Sequence, residues 1–224
     1  MKEVVIVRPD GKECPARYGE PSSGTARPGI VLATEMWGVT APMLETAERC
    51  VAAGYRVLVP DLFRGRRATS LEQGLQAMRE LDWNDAALQD LRGAARWLGQ
   101  TSEKVAMLGF CLGGALCLIA AMHATELDAA VCFYGLPPES AGDLETIPIP
   151  LLCHYAAHDN WCLPEKVDAA ELRMRAGGVD LELYRYDAAH AFMNPEGQGF
   201  SEAASRLAWQ RTLGFLAQKL AAVT

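Results

Sequence analysis

The chain lacks most of the features that mark specialised protein classes. It has no apolar run long enough to cross a membrane. Its first apolar stretch, Val4–Val7, is flanked by Lys2, Glu3 and Arg8, too short for the core of a secretory signal and without a small-residue cleavage site. It has no CxxC pair, and its seven cysteines are an odd number, so neither a disulfide framework nor a zinc site is suggested. It has no excess of positive charge: 21 Lys and Arg stand against 28 Asp and Glu, a net charge of −7, so no basic face for nucleic acid is expected. Repeats, low-complexity tracts and linkers are absent as well. Neither a metal nor a cofactor is expected, nor a nucleic-acid or membrane partner. The cysteines in apolar strands imply a reducing compartment, taken as a bacterial-type cytoplasm.

At 224 residues, half of them hydrophobic, the chain suits one domain spanning residues 1–224. Apolar strands alternate with helical periods. Val4–Val7 and Cys14–Tyr18 flank the Asp10-Gly11 turn as a hairpin, and a Pro-, Ser- and Gly-rich loop, Glu20–Pro28, follows. Strands are expected at Gly29–Thr34, Tyr55–Asp61, Lys104–Phe110, Ala129–Tyr134, Pro150–Ala156 and Val179–Tyr186. Helices are expected at Pro42–Ala53, Leu71–Leu81, Asp85–Leu98, from Leu112 to about Ala124, Pro164–Ala176 and Glu202–Leu220. This order predicts an α/β fold: a mostly parallel central sheet, helices on both faces and an antiparallel start.

The most informative stretch is Val105–Leu116, in which an apolar strand ends in Gly109-Phe110-Cys111-Leu112-Gly113-Gly114 and passes directly into a helix. A nucleophile elbow has this form, with a thiol where Ser usually stands. A side chain can project from such an apex only if strand and helix approach closely, and glycines at 109 and 113 remove the Cβ atoms that would block them. The competing reading is a buried cysteine in a Gly-rich turn.

A thiol nucleophile needs a base. Of four histidines, His123 falls near a helix end, His154 inside an apolar strand and His158 in a loop, whereas His190 directly follows a strand. Asp159 also follows a strand. Residues at the C-terminal ends of parallel strands share one crevice, and the order nucleophile, Asp, His is the one this fold class uses. His190 would act as base and Asp159 would orient it. The Leu112 N–H at the helix start, and Met36 N–H from the loop after the 29–34 strand, would hold an oxyanion. The plain alternatives are a surface His190 and a helix-capping Asp159. Glu35 ends a buried strand, where a lone carboxylate is costly; it either pairs with an arginine or faces the thiol, holding it protonated or accepting its proton. The basic loop residues Arg64, Arg66 and Arg67 are either solvated or capture an anion.

Taken together, Thr34-Glu35-Met36-Trp37-Gly38, Val59–Phe63, the Cys111 elbow, Phe133-Tyr134-Gly135, His158-Asp159 and Ala189–Phe192 resemble the dienelactone hydrolase (carboxymethylenebutenolidase) family of α/β-hydrolases over nearly the whole chain. The resemblance implies a lactone or small-ester hydrolase acting through a thioester, with Cys111, Asp159 and His190 as triad. It implies Glu35 as the carboxylate controlling the thiol, and Trp37, Tyr134 and Phe192 lining the pocket. Members acting on dienelactone grip its carboxylate with two arginines. Here one of those positions is Asn194, and the other segment has no Arg, leaving Arg64, Arg66, Arg67 or Arg79 to substitute; Asn194 and Arg64 are the substrate-binding candidates carried forward. The alternatives are a general carboxylesterase or thioesterase, or a thiol sensor or binding protein on the same fold. A monomer is expected, with a dimer as the alternative.

Overall fold

The structure, a computed structural model, describes residues 1–22, 27–123 and 125–221. Part of the Glu20–Pro28 loop and the end of the helix expected to reach Ala124 lie outside the described residues. Eight strands form one sheet in the order β1-β2-β4-β3-β5-β6-β7-β8. They are β1 Lys2–Val7, β2 Glu13–Gly19, β3 Gly29–Ala33, β4 Arg56–Pro60, β5 Val105–Phe110, β6 Ala129–Phe133, β7 Leu151–His158 and β8 Leu181–Ala189. The first hairpin, β1 with β2, is antiparallel, as is β2 with β4; the pairs from β4 through β8 are parallel. Every residue of β3, β5 and β6 is buried, which is why these strands read as continuous apolar runs rather than alternating ones.

Helices α1 Ala41–Ala52 and α7 Glu202–Lys219 cover one face, packing on Leu32, Val59, Leu108 and Val131. The other face carries α2 Leu71–Glu80, α3 Trp83–Asp85, α4 Arg92–Gly99, α5 Leu112–His123 and α6 Pro164–Ala176, packed on Val31, Leu58, Met107 and Cys153. From Leu112 through Met122, α5 is buried on every side, the expected state of a helix with no polar stripe. Among the described residues, no helix is long and apolar enough to cross a membrane.

The helix expected over Asp85–Leu98 differs in one respect: between α3 and α4 the chain makes a π turn, Ala86–Leu91. The turn brings Asp90 into the interior, where its carboxylate accepts from Arg8 Nη1 at 3.0 Å and from Arg64 Nη2 at 2.7 Å. Arg8 also bonds Asp10 and Asp85, so this buried guanidinium pins the N-terminal hairpin to the helical layer.

Candidate active site

β3, β5, β7 and β8 all end at the same edge of the sheet, and the residues that follow them meet there. The turn after β5 puts Cys111 at φ 52°, a left-handed conformation that a side-chain-bearing residue adopts only when its surroundings impose it. Two hydrogen bonds do so: Cys111 N–H donates to Phe133 O, and Cys111 O accepts from Ala115 N–H, both at 3.0 Å. A Cβ on Gly109 would lie 2.1 Å from Gly113 O, and one on Gly113 would lie 2.2 Å from Ala33 O. The elbow therefore closes only with glycine at these positions, and the second contact holds the β3 exit, Thr34–Met36, against the start of α5.

His190 follows β8. Its Nε2 is 3.2 Å from Cys111 Sγ, and its Nδ1 lies 2.8 Å and 3.0 Å from the two Asp159 oxygens. A register shift between β7 and β8 at Ala156/His158 turns the chain just before Asp159. The Asp159 side chain is fully buried, and its Oδ1 also accepts from the N–H groups of Trp161 and Cys162. The helix-capping reading of Asp159 does not hold, because α6 starts at Pro164 with Leu163 as its cap residue; amides of the loop itself fix the carboxylate, and the carboxylate fixes the imidazole. The other described histidines are elsewhere. His154 is buried, bonded to Tyr186 Oη at 2.7 Å and Thr212 Oγ1 at 3.0 Å, and burial pushes it down to about 3, so it is neutral. His158 forms an exposed pair with Asp187, and His123 is exposed.

The Cys111 thiol is raised well above its ordinary range by burial, then by the Glu35 carboxylate, while the Leu112 amide opposes the shift. Burial and the Glu35 charge both favour the neutral thiol over the thiolate. Glu35 is buried and, among the described residues, has no ion pair, which removes the structural-pair reading. Burial raises it to about 7 against the opposing effects of His190, Tyr134 and Asn194. The Tyr134 hydroxyl is buried beside Glu35 but makes no hydrogen bond of ordinary geometry.

Two expected pocket residues are placed differently. Phe192 is fully buried, its ring 5.3 Å from Tyr134 and 5.1 Å from Tyr186. With Ala191 at φ 60° the chain turns back on itself, and the ring gains more from burial among aromatics than from lining an open crevice; it supports Tyr134 from within. Arg64 is directed to Asp90, Asp61 O and Cys14 rather than to the triad. It borders a 610 Å³ groove along the N-terminal hairpin that none of the triad residues lines. A buried carboxylate needs its cation, and Asp90 has claimed Arg64. Replacing Arg64 by Ala is expected to cost about 1–2 kcal/mol of stability in urea unfolding, while the ratio of kcat/KM for anionic and neutral esters stays within about twofold.

Of the others, Trp37 is half-buried against the core beside the Met36 loop, and Tyr134 is buried edge-to-face with His190, the ring centres 5.1 Å apart. Asn194 Oδ1 accepts from Glu196 N–H, and the side chain faces Glu35. Trp161 was not singled out by sequence. It is 44% exposed, and its ring stacks on His190 at 5.7 Å and 28°. Its signal was present: a large aromatic in a polar loop, two residues beyond Asp159.

The dienelactone hydrolase family model matches residues 15–220. The chain belongs to that family. It is 31% identical over 228 residues to carboxymethylenebutenolidase 1 of Cupriavidus pinatubonensis, covering 96% of this chain and 95% of that protein. It is 32% identical over 225 residues to the carboxymethylenebutenolidase of Pseudomonas putida, covering 93% and 92%. The structure superimposes with a TM-score of 0.83 on a dienelactone hydrolase-like promiscuous phosphotriesterase from metagenomic libraries, at 26% identity over 98% of this chain and 99% of that one. As a member of this family the chain is a hydrolase of lactone or ester bonds, and the Cys, His and Asp groups stand close together, as a Cys-His-Asp triad requires.

Proposed function

We propose that Cys111 is the nucleophile, His190 its base and Asp159 the residue that orients the base, and that the substrate is a small lactone or short-chain ester. The observation that carries this reading is the 3.2 Å contact between His190 Nε2 and Cys111 Sγ, with Nδ1 held by Asp159. In the proposed cycle, the sulfur attacks the carbonyl carbon and its proton passes to Nε2. The tetrahedral oxyanion is held by the Leu112 N–H at the start of α5 and by the Met36 N–H. On collapse, His190 returns the proton to the departing alkoxide, leaving a thioester on Cys111. Water gives a proton to the same Nε2 and adds to the thioester carbonyl; the C–S bond then breaks, the acid leaves and His190 returns the proton to the Cys111 sulfur. Glu35 keeps the resting thiol protonated. A sensor thiol would not need an imidazole fixed by a fully buried carboxylate, and this disfavours the non-hydrolytic reading.

The chain in this reading is one hydrolase domain over residues 1–224, monomeric and cytoplasmic. With Asn194 beside Glu35 and Arg64 bound to Asp90, carboxylate recognition by an arginine pair is not carried over from dienelactone-cleaving relatives. The test is a panel of neutral and carboxylate-bearing lactones with short p-nitrophenyl esters, combined with mass spectrometry of the quenched enzyme. The expected result is turnover of neutral esters and lactones, with acyl mass on the Cys111 peptide. Acylation elsewhere, or no turnover of any member, overturns the reading.

Trp161 forms one wall of the approach to His190 in this reading. Trp161→Ala is expected to lower kcat/KM for p-nitrophenyl esters about 3- to 10-fold, from loss of an aromatic contact of about 0.5–1.5 kcal/mol, mainly through KM. Unchanged kinetics would remove Trp161 from the substrate's path.

A further inference from the structure

A second thiol stands beside the triad. Cys162, three residues beyond Asp159, is buried, and its Sγ donates to Tyr134 O at 3.2 Å. One donor atom each from Asp159, Cys162 and His190 lie within 4.8 Å of one another. The hydrolytic cycle uses the carboxylate and the imidazole but assigns nothing to this sulfur.

We infer that Asp159, Cys162 and His190 form a site for a thiophilic divalent cation of the Zn²⁺ or Cd²⁺ type, and that the bound ion switches the hydrolase off. Thiolate, imidazole and carboxylate are the donor set such ions prefer, whereas Mg²⁺ and Ca²⁺ seek oxygen alone. A tetrahedral ion with bonds of about 2.0–2.3 Å spaces its ligands about 3.3–3.8 Å apart, so the three donors need to close by no more than about 1.5 Å. Rotation of the Cys162 and His190 side chains supplies movement of that order. The partly exposed Trp161 side of His190 is the direction of access.

The proton balance is simple. Cys162 Sγ loses its proton to solvent and forms the metal–sulfur bond. If the ion takes His190 Nδ1, the ring proton moves to Nε2, which can then no longer accept from Cys111. If it takes Nε2, the base is occupied directly. Both outcomes remove the base, and this inhibitory effect rests on the catalytic role proposed for His190. The binding itself does not.

The discriminating substitution is Cys162→Ala, which removes the donor and keeps the backbone N–H that binds Asp159. Its uninhibited kcat/KM is expected to stay within about twofold of the unchanged enzyme. Titration with cadmium chloride is expected to produce an ultraviolet thiolate-to-cadmium charge-transfer band in the unchanged protein and in Cys111→Ala, and to lose it in Cys162→Ala. Zinc and cadmium are expected to inhibit ester hydrolysis, with the half-inhibiting concentration raised about tenfold or more by Cys162→Ala. Cys162→Ser, whose hydroxyl can still bond Tyr134 O, is expected to behave as Cys162→Ala and serves as the packing control. A band and inhibition that survive in Cys162→Ala but vanish in Cys111→Ala would put the ion on the nucleophile and overturn the inference, as would the absence of any band in the unchanged protein. Because the charge-transfer readout needs no turnover, it decides the metal site even if the protein hydrolyses no ester tested.

Discussion

Cys111→Ala is expected to lower kcat/KM for p-nitrophenyl esters and lactones by about 10⁴-fold or more while leaving the fold intact. The size follows from how triad members act: as a unit, so that loss of the nucleophile costs nearly as much as loss of the whole set, and what remains comes from the oxyanion donors and from binding. The intact fold follows from local geometry. Residue 111 sits at φ 52°, held by hydrogen bonds from its backbone to Phe133 and Ala115. Alanine has the same Cβ as cysteine and meets the same backbone strain, so the elbow is neither relieved nor burdened. Unfolding in urea should therefore shift by no more than about 1 kcal/mol, and this separates chemical loss from misfolding. Unchanged turnover would remove Cys111 from the chemistry and point to Cys162, whose sulfur lies within 4.8 Å of a ring nitrogen of His190.

The alternation of apolar runs and helical periods was enough to read the parallel sheet, because β3, β5 and β6 are buried on both faces and carry no polar residue to blur the pattern. The elbow was legible for the same kind of reason: Gly109 and Gly113 have backbone carbonyls about 2 Å from where a Cβ would stand, so their identity reports a close approach. Asp159 and His190 were legible through their position at strand exits. What stayed hidden depends on direction rather than position. The π turn at Ala86–Leu91 has the composition of an ordinary helix, yet it determines that Asp90 points inward and thereby removes Arg64 from the substrate's reach. Phe192 occupies the expected loop, but a positive φ at Ala191 turns its ring into the core. Trp161, in the separate loop after β7, carried a signal as an aromatic two residues beyond Asp159, but its stacking on His190 depends on how that loop meets the one after β8.

Glu35→Gln is expected to stabilise the protein at pH 8 by up to about 3 kcal/mol and to leave it nearly unchanged at pH 4. Burial raises the Glu35 carboxyl from an ordinary 4.5 to about 7, against the partial opposition of His190, Tyr134 and Asn194. In the unfolded chain the group ionises near 4.5, so between pH 4.5 and 7 the folded state holds a proton that the unfolded state has released. Unfolding is then favoured progressively as pH rises. The cost is absent below about pH 4.5, grows through that window and is complete above about pH 7, where 2.5 pKa units correspond to about 3 kcal/mol. Glutamine keeps the shape and carries no charge to bury, so the difference between the two proteins in urea unfolding should appear between pH 5 and 7 and then level off; a pH-independent difference would sink the assignment of a buried, late-ionising carboxylate. The same substitution reads the thiol. Once ionised, Glu35 adds its charge to the effect of burial in keeping Cys111 protonated. Removing that charge should speed alkylation of Cys111 by iodoacetamide at pH 8 and change it little at pH 6, where Glu35 is already mostly neutral. In the cycle proposed above, the Glu35 carboxylate beside Cys111 keeps the nucleophile from reacting before a substrate carbonyl arrives, and faster alkylation in Glu35→Gln is the measurable sign of that restraint.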